Sequence, residues 1–260
     1  MSQQRRIVPR PLRPRRPGSG SGPMARRRAI HASEPAPADR PLDAIDHNTA
    51  MLLAQTDGLD NPLHVEWVIS RFLPCWGEEP RGFDMEYIES TTHLIIDELL
   101  MTDDERALLA LRGLEAVASG RIAGQARDAA AVVAVGGVTL APWAVQIGQA
   151  QAVDARVMRN DEDDSQGVMV EYAYPDGECH TLAAFIADDM GGAVKFMGLT
   201  KSLAEAIPGD EELPLRPIDP HEAQRLIRDA LEATDQVHAR FEGDPSMREF
   251  GALAWSRVRG

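Results

Sequence analysis

From Leu42 to Ala150 the apolar positions recur every three or four residues, the period of an amphipathic helix. Asp60-Asn61-Pro62 supplies a cap and then a proline at the first helical position. Val65, Val68, Ile69, Phe72 and Leu73 follow on one face until Pro74 and Gly77 end the segment. A second helix is expected after Asp84, turning Ile88, Thr91, Ile95 and Leu99 inward. Thr102-Asp103-Asp104-Glu105 has capping-box spacing, and Leu108, Leu111 and Leu114 continue at helical intervals. A further helix over 121–135 stops at Gly136-Gly137, and Pro142 opens a short one through Trp143 and Ile147. The pattern is that of short antiparallel helices joined by tight turns.

Near Gln151 the period shortens to that of a strand, with alternate side chains on alternate faces. Val153 to Met158 reads as one strand, and Val168, Val170, Tyr172 and Tyr174 share one side of the next. In Tyr174-Pro175-Asp176-Gly177-Glu178, proline presets φ for a type I turn and glycine takes the left-handed position after it, which makes a three-residue hairpin loop. Pairing Tyr174 with Glu178 sets Tyr172 against His180, Val170 against Leu182 and Glu171 against Thr181, with Glu171 on the face opposite the tyrosines. The return strand runs to about Ala187, and a further short strand is expected over 193–199. Pro208 to Pro220 is a proline- and acid-rich connection. Asp219-Pro220-His221-Glu222 then opens a helix with the stripe Ala223, Leu226, Ile227, Ala230, Leu231, Thr234, Val237 and Phe241, which should lie on one face of the sheet. A last helix is expected over 245–255.

The fold class that follows is α+β: a helical region over 41–150, then, over 151–260, a small antiparallel sheet of three or four strands covered by C-terminal helices. The two regions either share one core or form separate domains.

Charge divides the chain differently. Residues 1–40 hold ten arginines and two acids, while the remaining residues hold 17 basic and 39 acidic groups, so a tail at +8 precedes a body at −22. The tail is arginine, proline, glycine and serine with almost nothing to bury, and disorder is expected. Met24, followed by Ala25-Arg26-Arg27-Arg28, is a second candidate start. An acidic body repels nucleic acid and anionic membrane, so nucleic-acid contact would fall to the tail, which lacks the interleaved aromatics that stack on single strands. The tail reads equally as a solvated extension or as a strip folded back on the body. Two cysteines, Cys75 and Cys179, with no CxxC pair, argue against a zinc ribbon or a disulfide framework and fit a reducing compartment. With no apolar run of membrane length and no secretory h-region, a cytoplasmic, non-membrane protein is expected.

Candidate chemistry is sparse. Asp161, Asp163 and Ser165 begin like a calcium loop, but Gln166 stands where glycine is needed and Tyr172 where a bidentate glutamate is needed, so the run reads as a charged turn and no metal is expected. Cys179 and His180 are neighbours in a strand and face opposite ways, which excludes a nucleophile–base pair; His180 is expected to pack against Tyr172. Glu171 either meets solvent or lies under a helix with a raised pKa, neutralised by Arg225 or Arg228. Asp188-Asp189-Met190-Gly191-Gly192-Ala193-Val194-Lys195 puts two acids, two glycines and one of the two lysines at a strand end. Asp188 and Asp189 could serve a metal-assisted or hydrolase-like site, with Gly191, Gly192 and Lys195 receiving an anion or cofactor. The same segment also reads as a tight turn whose carboxylates cap backbone amides. GxGxxG, Walker, GxSxG and HExxH motifs are absent, and no cofactor is expected.

Pro142-Trp143, the hairpin, Asp189-Met190-Gly191-Gly192-Ala193-Val194-Lys195 and Asp219-Pro220 together resemble a family of hypothetical proteins from GC-rich bacteria to which no activity is assigned. The resemblance implies an intact domain after residue 140 and supplies no function. Three functional expectations remain. The first is a non-enzymatic interaction or regulatory protein that binds another protein through its sheet edge or helical half. The second is an enzyme using Asp188 and Asp189 with Glu171 or His180 nearby, and the third is nucleic-acid association through the tail.

Overall fold

Side-chain caps start two helices of the first half. In the computed structural model, which describes residues 41–73, 85–160, 165–206, 215–238 and 245–259, these helices are α1 (Pro41–Thr56), α2 (Pro62–Phe72), α3 (Met85–Met101), α4 (Glu105–Val117) and α5 (Gly120–Val135). The tail over 1–40, the stop at Pro74 and Gly77 with Cys75, the acidic run Asp161–Asp164 and Phe241 lie outside the described residues. Asn61 accepts the His64 N–H at 3.3 Å to begin α2. Asp104, rather than Thr102, caps α4 by accepting the Ala107 N–H at 3.0 Å, because the Thr102 hydroxyl turns back to the Glu98 carbonyl at 2.9 Å. Leu52, Ile69, Ile95, Leu99, Leu111 and Leu114 form the buried centre of this half. α2 and α4 approach closely because position 113 has no side chain: a Cβ on Gly113 would stand 2.6 Å from Ile69 Cγ1.

The sheet holds β1 (Gln151–Asn160), β2 (Ser165–Ala173), β3 (Cys179–Ala187), β4 (Ala193–Thr200) and the two-residue β5 (Arg216–Pro217), all antiparallel, in the order β4-β3-β2-β1-β5. The hairpin has the expected register, with Tyr172 opposite His180, Val170 opposite Leu182 and Glu171 opposite Thr181. The Tyr174 N–H donates to the Glu178 carbonyl at 2.8 Å, and Gly177 takes φ 92°. β5 adds a short fifth strand that no alternation announced.

After the four-residue α6 (Leu203–Ala206) come α7 (Pro220–His238) and α8 (Pro245–Val258). Asp219 caps α7, accepting the N–H groups of His221 and Glu222 at 2.9 and 3.1 Å. α7 and α8 cover one sheet face, where Ile227, Leu231, Met247 and Trp255 bury Val170, Tyr172, Leu182 and Ala184. On the opposite face Leu203 and Ala206 of α6 pack on Met158, Met169 and Ala183. Hydroxyls of Thr234 and Ser246 accept the Val194 and Met197 N–H groups at 2.7 and 2.9 Å, so the helices close part of the β4 edge.

α8 joins the two halves, packing on α2 and α4 as well as on β4 and α7. The Ser70 hydroxyl inserts into its backbone, donating to the Glu249 carbonyl at 2.9 Å and accepting from the Leu253 N–H at 3.0 Å. All the described residues belong to one unit spanning Ala38–Gly260. Among them, no helix is long and apolar enough to cross a membrane.

Candidate functional site

The residues singled out in the sequence do not converge. Asp188 and Asp189 sit exposed on a single turn of 3-10 helix after β3, and Gly191 and Gly192 follow with φ 71° and 81°. Backbone carbonyls of Asp188 and Ala187, rather than carboxylates, receive the two glycine N–H groups at 3.0 and 3.1 Å, so the glycines serve the turn itself. Asp188 lies 3.6 Å from Arg159 across open surface, and Lys195 is exposed at a bulge in β4. His180 stands at the other end of β3, eight residues or about 26 Å away along an extended chain. Among the described residues, no group of three or more His, Cys, Asp or Glu side chains is arranged to hold a metal.

Glu171 is half-buried on the α6 side of the sheet, where it accepts the Leu203 N–H at 3.3 Å. The arginines expected to neutralise it are on the other side. Arg228 donates to the Val258 carbonyl at 2.9 Å, and Arg225 stands beside Glu222, because α7 covers the opposite face. Burial, and then the Glu171 carboxylate, push the Cys179 thiol above its ordinary range, which disfavours the nucleophilic thiolate.

His180 belongs instead to a buried cluster with Glu66 of α2, Tyr172 and the neighbouring Tyr174 after β2, and Arg257 of α8. The Arg257 guanidinium bonds to Glu66 Oε2. It also donates to the Tyr174 hydroxyl at 3.0 Å and to His180 Nε2 at 3.3 Å. Tyr174 donates its own proton to Glu66 at 2.6 Å, and Glu66 Oε1 accepts the Gly148 N–H, also at 2.6 Å. An arginine Nε can only donate, so His180 Nε2 is the acceptor and its hydrogen resides on Nδ1. That Nδ1 is buried without a partner among the described residues. Burial, aided by the Arg257 cation, lowers the His180 pKa to about 3, while burial pushes Tyr172 up to about 12. Tyr174 is raised further, by burial and by Glu66. Burial works against the Arg257 charge, but Glu66 and the two tyrosines outweigh it and hold the cation. The cluster is closed to solvent and ties α2 and α8 to the hairpin, so it acts as a polar pin between the halves.

Glu66 and Arg257 were not legible as a pair. Beside Val65, Glu66 reads as solvent-facing. The local clue is its spacing of four from Ser70, which puts both on a second side of α2, the side that α8 covers.

The pin connects directly to a groove. Gly148, whose N–H it holds, lines a concavity of about 730 Å³ between α4, α5 and the segment 138–149. The walls are mixed: Leu108, Val138, Leu140 and Ile147 supply the apolar part, and at one end Arg112 and Arg127 both contact Glu115, at 2.8 and 2.9 Å. Val145 lines the groove and is 69% exposed, and Val132 and Val135 of α5 are exposed by 60% and 88%. No family model, no curated protein and no solved structure matches the chain.

Proposed function

We propose that this is a non-enzymatic interaction or regulatory protein that binds another protein through its helical half. The observation that carries the reading is the groove beside α5, where Leu108, Val138, Leu140 and Ile147 supply apolar wall and Val145 stands largely in water. An exposed branched apolar side chain at a concavity with apolar wall is what a partner would bury. The sheet edges are poorer candidates, since Thr234 and Ser246 occupy amides of β4 and β5 pairs with β1. An enzymatic reading would need Asp188 and Asp189 to act together with Glu171 or His180, and those groups lie on different faces and at opposite ends of the sheet.

The test is site-specific photo-crosslinking in cells that produce the protein naturally. A photoreactive residue at Val145 should give one discrete heavier adduct that disappears on adding Ala134→Glu, a charge on the exposed groove wall, while the same residue at exposed Glu222 gives none. Equal labelling from both positions, or none from Val145, contradicts the reading.

A further inference from the structure

The charged end of the groove points to the chemistry of the partner. We infer that the groove receives an acidic peptide segment with apolar anchors, its carboxylate held by Arg112 and Arg127; this rests on the proposed use of the helical half as a binding surface. Two guanidinium groups share one carboxylate there, which leaves a net positive end on a body that is otherwise strongly acidic. Arg112 and Arg127 each give one N–H group to Glu115. A guanidinium has five donors in a rigid fork, so both retain the geometry that binds a second carboxylate. Glu115, anchored between them, holds the two forks in place before a ligand arrives.

Beyond this end, Leu108, Val138, Leu140 and Ile147 offer apolar wall. The volume of about 730 Å³ admits several side chains. A polyanion such as nucleic acid would meet the same two arginines but also the repulsion of the whole acidic body.

The experiment pans the immobilised full chain against a phage library of random dodecapeptides and measures a selected, synthesised peptide by calorimetry. Selected sequences should place Asp or Glu beside Leu, Ile or Phe. The double variant Arg112→Gln/Arg127→Gln should bind the peptide at least about tenfold more weakly, the loss of one charge-assisted contact, with an unchanged melting temperature. Arg225→Gln on α7 should bind as the parent does. Selection of peptides without acids, selection of none, binding indifferent to the double variant, or self-association of the chain through this face would each overturn the inference. If the Val145 crosslink to a partner still forms in those cases, only the peptide chemistry is wrong; if that adduct is also missing, the interaction reading fails with it.

Discussion

Glu66 and Arg257 stand 191 positions apart and form an ion pair that solvent does not reach. Removing two charges from water costs several kcal/mol per ion, and the pair alone would barely recover it. Here both charges make further bonds. Gly148 and Tyr174 donate to Glu66, while His180 and Tyr174 accept from Arg257. The hairpin loop adds contacts on the surface. Asp176 and Gln146 bond reciprocally at 2.8 and 3.2 Å, and Asn61 donates to Glu178. Moving α8 off α2 would break the Glu66–Arg257 contact and leave each charge without the other, so the pair favours this arrangement of helices on sheet.

Gly148 is where the pin meets the groove, and substituting it should be costly for two reasons. Its φ of +79° strains any L side chain, and a Cβ would stand 3.0 Å from that of Ala116. Gly148→Ala should lose about 1–3 kcal/mol in urea unfolding. Gly58→Ala, at φ +70° with nothing within 4 Å, is the control and should lose less.

His180 should remain a neutral Nδ1–H tautomer far into acid, since its pKa falls to about 3 through burial and the Arg257 charge. The folded value lies below the unfolded one of about 6.5. Its contribution to stability is therefore complete above about pH 6.5 and is lost as pH falls toward 3. Imidazole carbon and nitrogen shifts followed by NMR from pH 8 to pH 5 should show no titration of this ring. A midpoint above pH 5 contradicts the buried contact with Arg257.

Asp235 should act with the opposite sign. Burial, and then Glu232, raise its carboxyl to about 7, so the folded chain resists its ionisation. Stability should fall as pH rises from about 4 to about 7 on this account. Asp235→Asn should match the parent near pH 4 and exceed it at pH 8. Screening at this partly open position limits the gain to about 1 kcal/mol, or about 2–4 °C in melting temperature, measured by calorimetry at the two pH values.

Local chemistry made much of the fold readable. Asn61-Pro62 and Asp219-Pro220 start helices where caps and proline demand it, and Pro175-Asp176-Gly177 alone sets the register that brings Tyr172 to His180. What escaped reading depends on partners far along the chain. β5 is two residues with no alternation to display, and the choice of Asp104 over Thr102 turns on where one hydroxyl finds an acceptor. The site was less legible still. Asp188, Asp189, Gly191, Gly192 and Lys195 attract attention as reactive residue types, yet they form an exposed turn. Glu66 and Arg257 look like ordinary surface charges until α8 is laid on α2. The groove residues Arg112, Glu115 and Arg127 have helical spacing suited to solvent, and only the return of segment 138–149 makes them a wall.

The pin between the halves is tested most directly by a double-mutant cycle on Glu66 and Arg257, using Glu66→Leu, Arg257→Met and both together in equilibrium urea unfolding. Each single change leaves a buried charge alone and should cost about 3–5 kcal/mol. The double variant should cost clearly less than the sum, with a coupling of at least about 1 kcal/mol. Effects that add to within about 0.5 kcal/mol would mean that the two residues do not hold each other, and that the halves are joined by something else.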